Sequence, residues 1–299
     1  MDNADFDYSF QYRNLGHLDT DKSRQREMGN WRGRFKQHAI FPPSKDAAIL
    51  EIGCGMGRLL AMLKKEGYTN LTGIDIDRSQ IDVAQKEEGI AVSLIDATEF
   101  LSKEISANRK YDAIYLYDVL EHIAKEKQLP FLKLLHEHLT ENGFIVIQVP
   151  GGVGSDSLYC RYNDFTHCLL YTPLTLSFLI RNAGFPFLTV RPWCKEPLSW
   201  QRAKLPFIRP LRVMNGITDT VTFATCMLAV VFKNEAVFKE WEAKAPVIDN
   251  AYLDGIYGFM VYYFGDSIQF FRFRWFIKPI EQWFKHFKKR KKVGKIDTP

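Results

Sequence analysis

Short apolar runs alternate with amphipathic stretches of about ten residues along most of the chain. The apolar runs predict seven buried strands, over residues 47–53, 71–76, 91–96, 111–118, 143–150, 187–193 and 221–232. The stretches between them predict helices over residues 58–67, 79–89, 97–107, 129–143 and 172–185. Because strands that alternate with helices form βαβ units, the pattern predicts an α/β fold around a seven-stranded, mostly parallel sheet.

The same pattern divides the chain into three parts. Residues 1–45 are polar with scattered aromatics, and they contain a predicted helix over residues 26–40. Residues 46–235 hold the predicted sheet, with a basic, proline-bearing insertion at residues 194–220 that we expect to form a loop or lid. Residues 236–299 form an aromatic and basic C-terminal extension.

Composition narrows the class of protein. The chain has 299 residues, of which 46% are hydrophobic and 25% are charged, so we expect a packed core rather than global disorder. Its five cysteines include no C-x-x-C pair and its acidic N-terminus is not a signal peptide, so we expect a reducing, cytoplasmic location. The longest apolar runs are about half of the roughly 20 residues that a membrane-spanning helix needs.

The first predicted strand ends in a glycine-rich turn, in the sequence ILEIGCGMGRLL. Gly53, Gly55 and Gly57 occupy alternate positions there, between a strand and a helix, where a ligand can approach the backbone closely. Glu51 precedes the turn, and Asp75 ends the second strand, where an acid can accept hydrogen bonds from ribose hydroxyls. An acid beside the turn repels phosphate and attracts a cation. The site therefore suits a ligand with a ribose, a carboxylate and a positive charge, such as S-adenosylmethionine.

Several segments together resemble a known family. EIGCGMG, GIDID, LIDATEF, YDAIYLYDVLEHI and GFIVIQVP are similar, in order and spacing, to the motifs of class I S-adenosylmethionine-dependent methyltransferases. The resemblance covers residues 47–232. It implies a Rossmann-like sheet whose last strand is antiparallel, with S-adenosylmethionine as the cofactor. Another Rossmann-like protein with a tight glycine turn is the alternative.

The resemblance implies cofactor contacts at the carboxyl ends of the first four strands. Along the methionine end of the cofactor it implies the residues of the first turn: Glu51, Gly53, Cys54, Gly55 and Gly57. It implies that Asp75 binds the ribose and that Ile76 flanks the adenine. It further implies that Asp96 bonds to the adenine amino group, with Ala97 beside it, and that Asp118 borders the cofactor. For Asp96, a helix N-cap is the alternative role.

The N-terminal sequence WRGRF is similar to an Arg-Gly element that precedes the core in some polysaccharide-type relatives. In those relatives an arginine approaches the cofactor carboxylate. We assign this role to Arg32, with Arg34 as a second candidate. A surface arginine with no such contact is the alternative.

Two histidines are candidate general bases, which a hydroxyl acceptor would use. His122 follows the fourth strand, and if this segment is helical, Asp118, Glu121 and His122 share one face. A histidine that is satisfied by its neighbours and does no chemistry is the alternative for His122.

The second histidine, His167, lies in the segment DFTH. This segment looks like the D-x-T-H segment of methyltransferases that are associated with bacterial cell-surface polysaccharide clusters. Asp164 could orient His167, as an acid orients an imidazole in other pairs. A turn in which Asp164 and Thr166 cap the backbone is the alternative.

A metal site is a further hypothesis for the same residues. Some small-RNA 3′-end and ubiquinone-pathway methyltransferases carry a similar acid-x-x-Glu-His arrangement with Mg²⁺. Here the first acid is the shorter Asp, and Mg²⁺ prefers oxygen ligands, so we predict no metal. If one is bound, its ligands would be Asp118, Glu121, His122 and His167.

The C-terminal extension combines aromatic and basic residues. Residues 267–299 contain ten Lys or Arg and two Asp or Glu, so this segment is net +8 and residues 1–266 are net −3. Such a composition favours an anionic membrane surface as the partner of residues 268–299. Packing on the core or on a second subunit is the main alternative. The negative balance of residues 1–266 makes nucleic acid an unfavoured partner.

The predicted function is S-adenosylmethionine-dependent O-methylation of a sugar in a surface glycan or lipid-linked glycan. The first alternative is methylation of a lipid phenol in quinone synthesis. The second is a catalytically inactive, cofactor-binding regulatory subunit. We expect a cytoplasmic protein, peripheral on the cytoplasmic face of the membrane if the extension binds lipid, and the sequence is compatible with an oligomer.

Overall fold

The computed structural model describes residues 20–86, 90–106, 108–152, 157–193 and 226–245. Its strands are β1 (Ile49–Ile52), β2 (Leu71–Asp75), β3 (Ala91–Leu94), β4 (Tyr111–Tyr117), β5 (Leu139–Pro150), β6 (Phe187–Trp193) and β7 (Cys226–Phe232). Its α-helices are α1 (Asp21–His38), α2 (Arg58–Lys65), α3 (Arg78–Ala84), α4 (Ala97–Ser106), α5 (Lys125–His138), α6 (Ser157–Asn163), α7 (Pro173–Asn182) and α8 (Glu235–Lys244).

The seven strands form one sheet in the order β3-β2-β1-β4-β5-β7-β6. Strands β1 to β5 pair in parallel, and β7 runs antiparallel to both β5 and β6. This arrangement confirms the predicted α/β, Rossmann-like sheet of seven mostly parallel strands with an antiparallel last strand. It brings the carboxyl ends of β1, β2 and β4 to one edge, where the glycine turn follows β1.

The sheet is covered on both faces. Successive strand residues point to opposite faces, so Ile49 and Tyr115 belong to one apolar cluster, and Leu50 and Ile114 belong to the other. Burial on both faces explains why β4 and β5 read as continuous apolar runs rather than as alternating ones.

Helix α1 belongs to the core of the domain. It begins five residues before the predicted helix, at a Thr20 N-cap whose hydroxyl accepts a hydrogen bond from the Ser23 amide. Phe35 is wholly buried, and the Tyr115 hydroxyl donates to the Ile40 carbonyl oxygen at 2.7 Å. The described part of residues 1–45 is therefore anchored on the sheet.

Two predicted helices end earlier than expected. The predicted helix over residues 79–89 is α3, which ends at Ala84, and the one over residues 129–143 is α5, which ends at His138. The chain then enters β5, where Leu139 pairs with Tyr111. Gly143, where the predicted strand over residues 143–150 begins, lies inside β5, and a Cβ there would come within 2.8 Å of the Asp112 carbonyl oxygen.

Helix α8 packs on the sheet through Phe238 and Trp241, and the Trp241 indole donates to the Ala39 carbonyl oxygen at 2.9 Å. The predicted boundary at residue 235 is therefore too early, because residues 235–244 pack with the core. The expectations for residues 194–220 and 268–299 lie outside the described residues. Within the described part of the chain, no helix has the length and apolar character needed to cross a membrane.

Candidate active site

The glycine turn has the backbone that its sequence predicts. Gly53, Gly55 and Gly57 have φ angles of 72°, 51° and 70°, in the left-handed region that disfavours side chains. A Cβ at Gly53 would also lie 2.5 Å from Val119 Cγ2, so the turn touches the segment that follows β4. The residues after β4 therefore lie beside the candidate cofactor turn.

Asp75 supports this turn directly. One of its carboxylate oxygens accepts a hydrogen bond from the Gly55 amide, and the other accepts one from the Asp77 amide, both at 2.8 Å. The side chain is 8% exposed. Each oxygen keeps a second lone pair, so the predicted contact with a ribose is compatible with this geometry and stays a prediction.

Glu51 is a buried acid with an unsatisfied atom. Its side chain is 4% exposed, and Oε2 has no hydrogen-bond partner among the described residues. Burial, followed by the nearby Asp75 charge, raises the pKa of Glu51 well above its usual range. A cationic group placed here would stabilise the ionised carboxylate. The unsatisfied carboxylate oxygen beside the glycine turn fits a cationic ligand such as S-adenosylmethionine. Cys54, within the turn, is buried and unoxidised.

The residues predicted to surround the adenine lie at the edge of the sheet where the glycine turn also lies. Asp96 caps α4, because its Oδ1 accepts hydrogen bonds from the Thr98 and Glu99 amides at 2.8 and 3.1 Å. This is the alternative role that the sequence allowed. Ile76, directly after β2, is 43% exposed, and Ala97 begins α4. Contacts of Asp96, Ala97 and Ile76 with an adenine stay predictions.

The structure separates the two N-terminal arginines. Arg32 forms an ion pair with Glu66. Glu66 follows the last residue of α2, whereas the glycine turn precedes its first residue. The prediction that Arg32 contacts the cofactor carboxylate is therefore corrected. Arg34 lies over the rings of Trp193 and Trp31, with its guanidinium carbon 4.9 and 5.6 Å from their centroids. Burial lowers the pKa of Arg34, and the nearby Asp118 opposes this shift.

Asp118 and His122 do not share a helical face, which corrects the sequence prediction. Asp118 has a φ of 55°, and only a single 3₁₀ turn, Leu120–His122, follows it. The Gln128 amide nitrogen holds this turn by donating to the Leu120 and Ile123 carbonyl oxygens. Asp118 instead accepts a hydrogen bond from Gln148 Nε2 at 2.7 Å. The sequence signal for Gln148 is a lone polar residue within the apolar run GFIVIQVP.

A hydrogen-bonded chain links His122 to Asp164 through Thr166. The Thr166 hydroxyl donates to Asp164 Oδ1 at 2.6 Å, and His122 Nδ1 lies 2.8 Å from the same hydroxyl oxygen. Because the single hydroxyl proton goes to Asp164, the His122 Nδ1–H donates to Thr166 and Nε2 carries the lone pair. Burial lowers the pKa of His122 to about 4, although Asp164 opposes the shift. The sequence indicated Thr166 only as a residue that caps a turn.

His167 and Glu121 complete the cluster. His167 Nε2 lies 3.7 Å from Asp164 Oδ2 and 4.0 Å from Glu121 Oε1, and the His122 and His167 ring centroids are 4.8 Å apart. Glu121 is wholly buried, and neither carboxylate oxygen has a hydrogen-bond partner among the described residues. Burial, and then the Asp118 charge, raises the pKa of Glu121 well above its usual range.

Three of the four candidate metal ligands converge. One ligand atom from each of Glu121, His122 and His167 lies within 4.8 Å of the others, and Asp118 is not part of this group. Two imidazoles and one carboxylate suit a transition metal better than Mg²⁺, which takes oxygen ligands. The cluster can therefore act either as a base with its orienting groups or as a metal site.

Residues 21–190 match a family model described as a methyltransferase domain, over more than half of the chain. This chain belongs to that methyltransferase family. The methyltransferase is 32% identical, over 102 residues, to the ubiquinone biosynthesis O-methyltransferase of Rickettsia canadensis, covering 33% of this chain and 41% of that protein. It is 32% identical, over 134 residues, to EEF1A lysine methyltransferase 2 of Danio rerio, covering 39% of this chain and 56% of that protein. The matched regions are thus about half, or less, of these relatives' lengths.

Solved structures share the fold of this methyltransferase. A SAM-dependent methyltransferase from Archaeoglobus fulgidus superposes with a TM-score of 0.57 and 22% identity, covering 75% of this chain and 99% of that one. The plantazolicin methyltransferase BpumL, solved with a pentazolic desmethylPZN analog and SAH, gives 0.51 and 18%, covering 78% and 93%. The family match and the fold confirm the prediction of a class I methyltransferase domain with S-adenosylmethionine as its cofactor. The similarity to polysaccharide-cluster enzymes stays a prediction.

Proposed function

We propose that this methyltransferase methylates a hydroxyl oxygen and that His122 is the general base. The observation that carries the proposal is the hydrogen-bonded chain from Asp164 through Thr166 to His122. That chain leaves the lone pair on His122 Nε2, which is the atom a base requires. Its position is also suitable, because Val119, three residues earlier, touches the cofactor turn at Gly53.

The cofactor, when bound, would supply a methyl group on a positively charged sulfur; the acceptor oxygen would bond to the methyl carbon while the carbon–sulfur bond opposite it breaks, which leaves a neutral thioether. As that oxygen attacks, His122 Nε2 takes the hydroxyl proton, and the charge that develops on the ring is stabilised through Thr166 by Asp164. The lowered pKa of His122 keeps the ring neutral at neutral pH, although it also makes the ring a weaker base, so the opposing charge of Asp164 matters for the proton transfer. Such proton transfer contributes about 10²–10⁴-fold to a rate.

Binding of the cofactor uses other residues of the same edge. Glu51 and Asp75 lie beside the glycine turn, where a bound cation would favour their ionised forms, and Asp75 also holds the turn through the Gly55 amide. Arg34, half-buried over the rings of Trp31 and Trp193, supplies the positive charge for the cofactor carboxylate. Together these residues complement a ligand that carries both a cation and a carboxylate.

The acceptor we propose is the phenolic hydroxyl of a quinone-type precursor, which is the first alternative that the sequence allowed. The names of the Rickettsia relatives, ubiquinone biosynthesis O-methyltransferases, support this class. A glycan sugar, which is the acceptor predicted from the sequence, is supported only by the DFTH segment. The inactive-subunit alternative is disfavoured because Glu51, Asp75 and both histidines are present. A membrane partner for residues 268–299 stays a prediction.

A metal-assisted mechanism is the second candidate, and the unsatisfied buried carboxylate of Glu121 favours it. Glu121, His122 and His167 would hold a divalent transition metal, which would acidify an acceptor hydroxyl. Metal analysis of the purified protein separates the two mechanisms. One bound ion per chain, lost in Glu121→Gln, supports the metal, whereas full turnover in the presence of a chelator supports the base.

The direct test measures methyl transfer from labelled S-adenosylmethionine to three acceptors: a catechol-type quinone precursor, a purified surface glycan and a lysine peptide. We expect product only with the catechol, and its loss in His122→Ala with cofactor affinity retained. Thr166→Val, which breaks the hydrogen-bonded chain to His122, should also slow transfer, and Thr69→Val, at an exposed threonine, is its matched control. Turnover of the glycan alone would refute the phenolic acceptor, and full activity of His122→Ala would refute the base.

A further inference from the structure

Exposed apolar side chains are concentrated in one part of the described structure. Large apolar side chains are exposed at six described positions, and five of these positions lie between residues 159 and 178. The five are Tyr159, Tyr162, Phe165, Leu174 and Phe178. Their exposed fractions range from 68% to 82%, whereas that of the sixth residue, Ile76, is 43%. Single exposed apolar residues are ordinary, but a concentration of them indicates an interaction surface.

Three of these side chains belong to an excursion of the chain at the cofactor edge of the sheet. The Gly152 amide donates to the Tyr171 carbonyl oxygen at 2.6 Å, so the chain leaves the carboxyl end of β5 and returns to the same place. The excursion carries Asp164 and Thr166 of the hydrogen-bonded chain to His122. It also carries three side chains that we call the aromatic rim: Tyr159, Tyr162 and Phe165. The aromatic rim therefore lies close to the candidate active site.

The excursion reverses the usual burial of polar and apolar side chains. Thr166 is 7% exposed, whereas Phe165 directly before it is 82% exposed. Tyr159 and Tyr162 are three residues apart in α6, so they share a side of that helix, and both are exposed. The backbone behind the rim is anchored, because the Cys168 amide donates to the Glu121 carbonyl oxygen at 2.7 Å. Such a reversal is favourable where the outer side meets an apolar medium.

The chemistry around the aromatic rim suits an anionic lipid surface. Residues 157–193 contain three arginines and a single acid, Asp164, which is half-buried and bonded to Thr166. Arg161 accompanies the rim directly, with its guanidinium carbon 5.5 Å from the centroid of the Tyr162 ring. Tyrosine combines an apolar ring with a polar hydroxyl, which suits the boundary between lipid headgroups and acyl chains. Arginine beside such rings favours anionic lipids.

We propose that the aromatic rim docks on an anionic membrane surface, with its three rings in the headgroup region. Docking there would bring the edge that holds His122 to the lipid, where a lipid acceptor can be reached. The choice of a membrane rests in part on the proposed function, because a lipid phenol is held in a membrane. The rim is separate from residues 268–299, for which the sequence predicts a membrane partner.

The test is co-sedimentation of the full chain with vesicles of phosphatidylcholine and phosphatidylglycerol at physiological salt. We expect saturable binding that is about tenfold weaker in the double variant Tyr159→Ser/Tyr162→Ser. Phe178→Ser is the matched control, because Phe178 is as exposed as Tyr159 but lies in α7, outside the excursion. It should bind vesicles like the unmodified protein. Unchanged affinity for S-adenosylhomocysteine shows that the variants are folded.

Absence of vesicle binding by the unmodified protein would overturn the proposal, and so would equal binding by the double variant. Equal weakening by Phe178→Ser would also overturn it, because the loss would then reflect exposed apolar area in general. Self-association that the double variant abolishes, with vesicle binding unchanged, would assign the rim to a second copy of the chain. Vesicle binding that requires the rim, without methylation of any phenol, would support the docking surface and refute the proposed acceptor.

Discussion

Replacing His38 with phenylalanine should make the protein less sensitive to acid. His38 is the last residue of α1, it is 1% exposed, and its ring lies 4.9 Å from that of Trp193. Burial, followed by the charges of Arg191 and Arg34, lowers the pKa of His38 to about 3. Phenylalanine keeps the ring contact and cannot take a proton, so His38→Phe isolates the titration.

The size of the effect follows from the difference in pKa between the folded and unfolded states. An unfolded histidine takes its proton near pH 6.5, whereas folded His38 takes it near pH 3. Between these values the unfolded state holds the extra proton, so the free energy of unfolding falls as the pH falls. The contribution of the neutral ring is complete above pH 6.5, and about 2 kcal/mol of it is lost between pH 8 and pH 5.

Urea denaturation at a series of pH values from 8 to 5 measures this contribution. The other titrating groups are common to both proteins, so the difference in their free energies of unfolding reports on His38. We expect this difference to change by about 2 kcal/mol, in favour of His38→Phe at low pH. His136→Phe, at a less buried histidine, should show a smaller change. Parallel stability curves for the unmodified protein and His38→Phe would refute the reasoning.

Three further predictions concern the candidate active site. Thr166→Val should lower the rate of methyl transfer about tenfold with unchanged affinity for S-adenosylhomocysteine, and Thr166→Ser should restore it; equal rates in all three proteins would show that the hydrogen-bonded chain has no role in catalysis. Asp75→Asn should weaken cofactor binding by about 1–3 kcal/mol in calorimetry, because an amide cannot accept both backbone hydrogen bonds; an unaltered dissociation constant would contradict this. Arg34→Gln should weaken cofactor binding, whereas Arg32→Gln should not, and the reverse order would restore the assignment made from the sequence.

Much of the domain follows from patterns that are local in the chain. A stretch of a few neighbouring residues is enough to show the period of a strand or of an amphipathic helix. The strands, the helices and their order along the chain were therefore predictable from the sequence. The glycine turn is equally local, because positive φ angles at Gly53, Gly55 and Gly57 depend on the absence of a side chain at those positions. Glu51 and Asp75 could be placed because they sit at the ends of recognisable strands.

Tertiary structure alone decided the contacts between residues that are distant in the chain. His122 meets Thr166 across 44 positions, and Trp241 meets Ala39 across 202, and no periodicity encodes such pairs. They depend on the order of strands in the sheet and on the loops that this order brings to each edge. The same reason explains the choice of Arg34 over Arg32, because one turns toward Trp193 and the other toward Glu66. Residues 47–232 of the sequence thus specify a methyltransferase sheet, and the packing of its edges determines which side chains can act together.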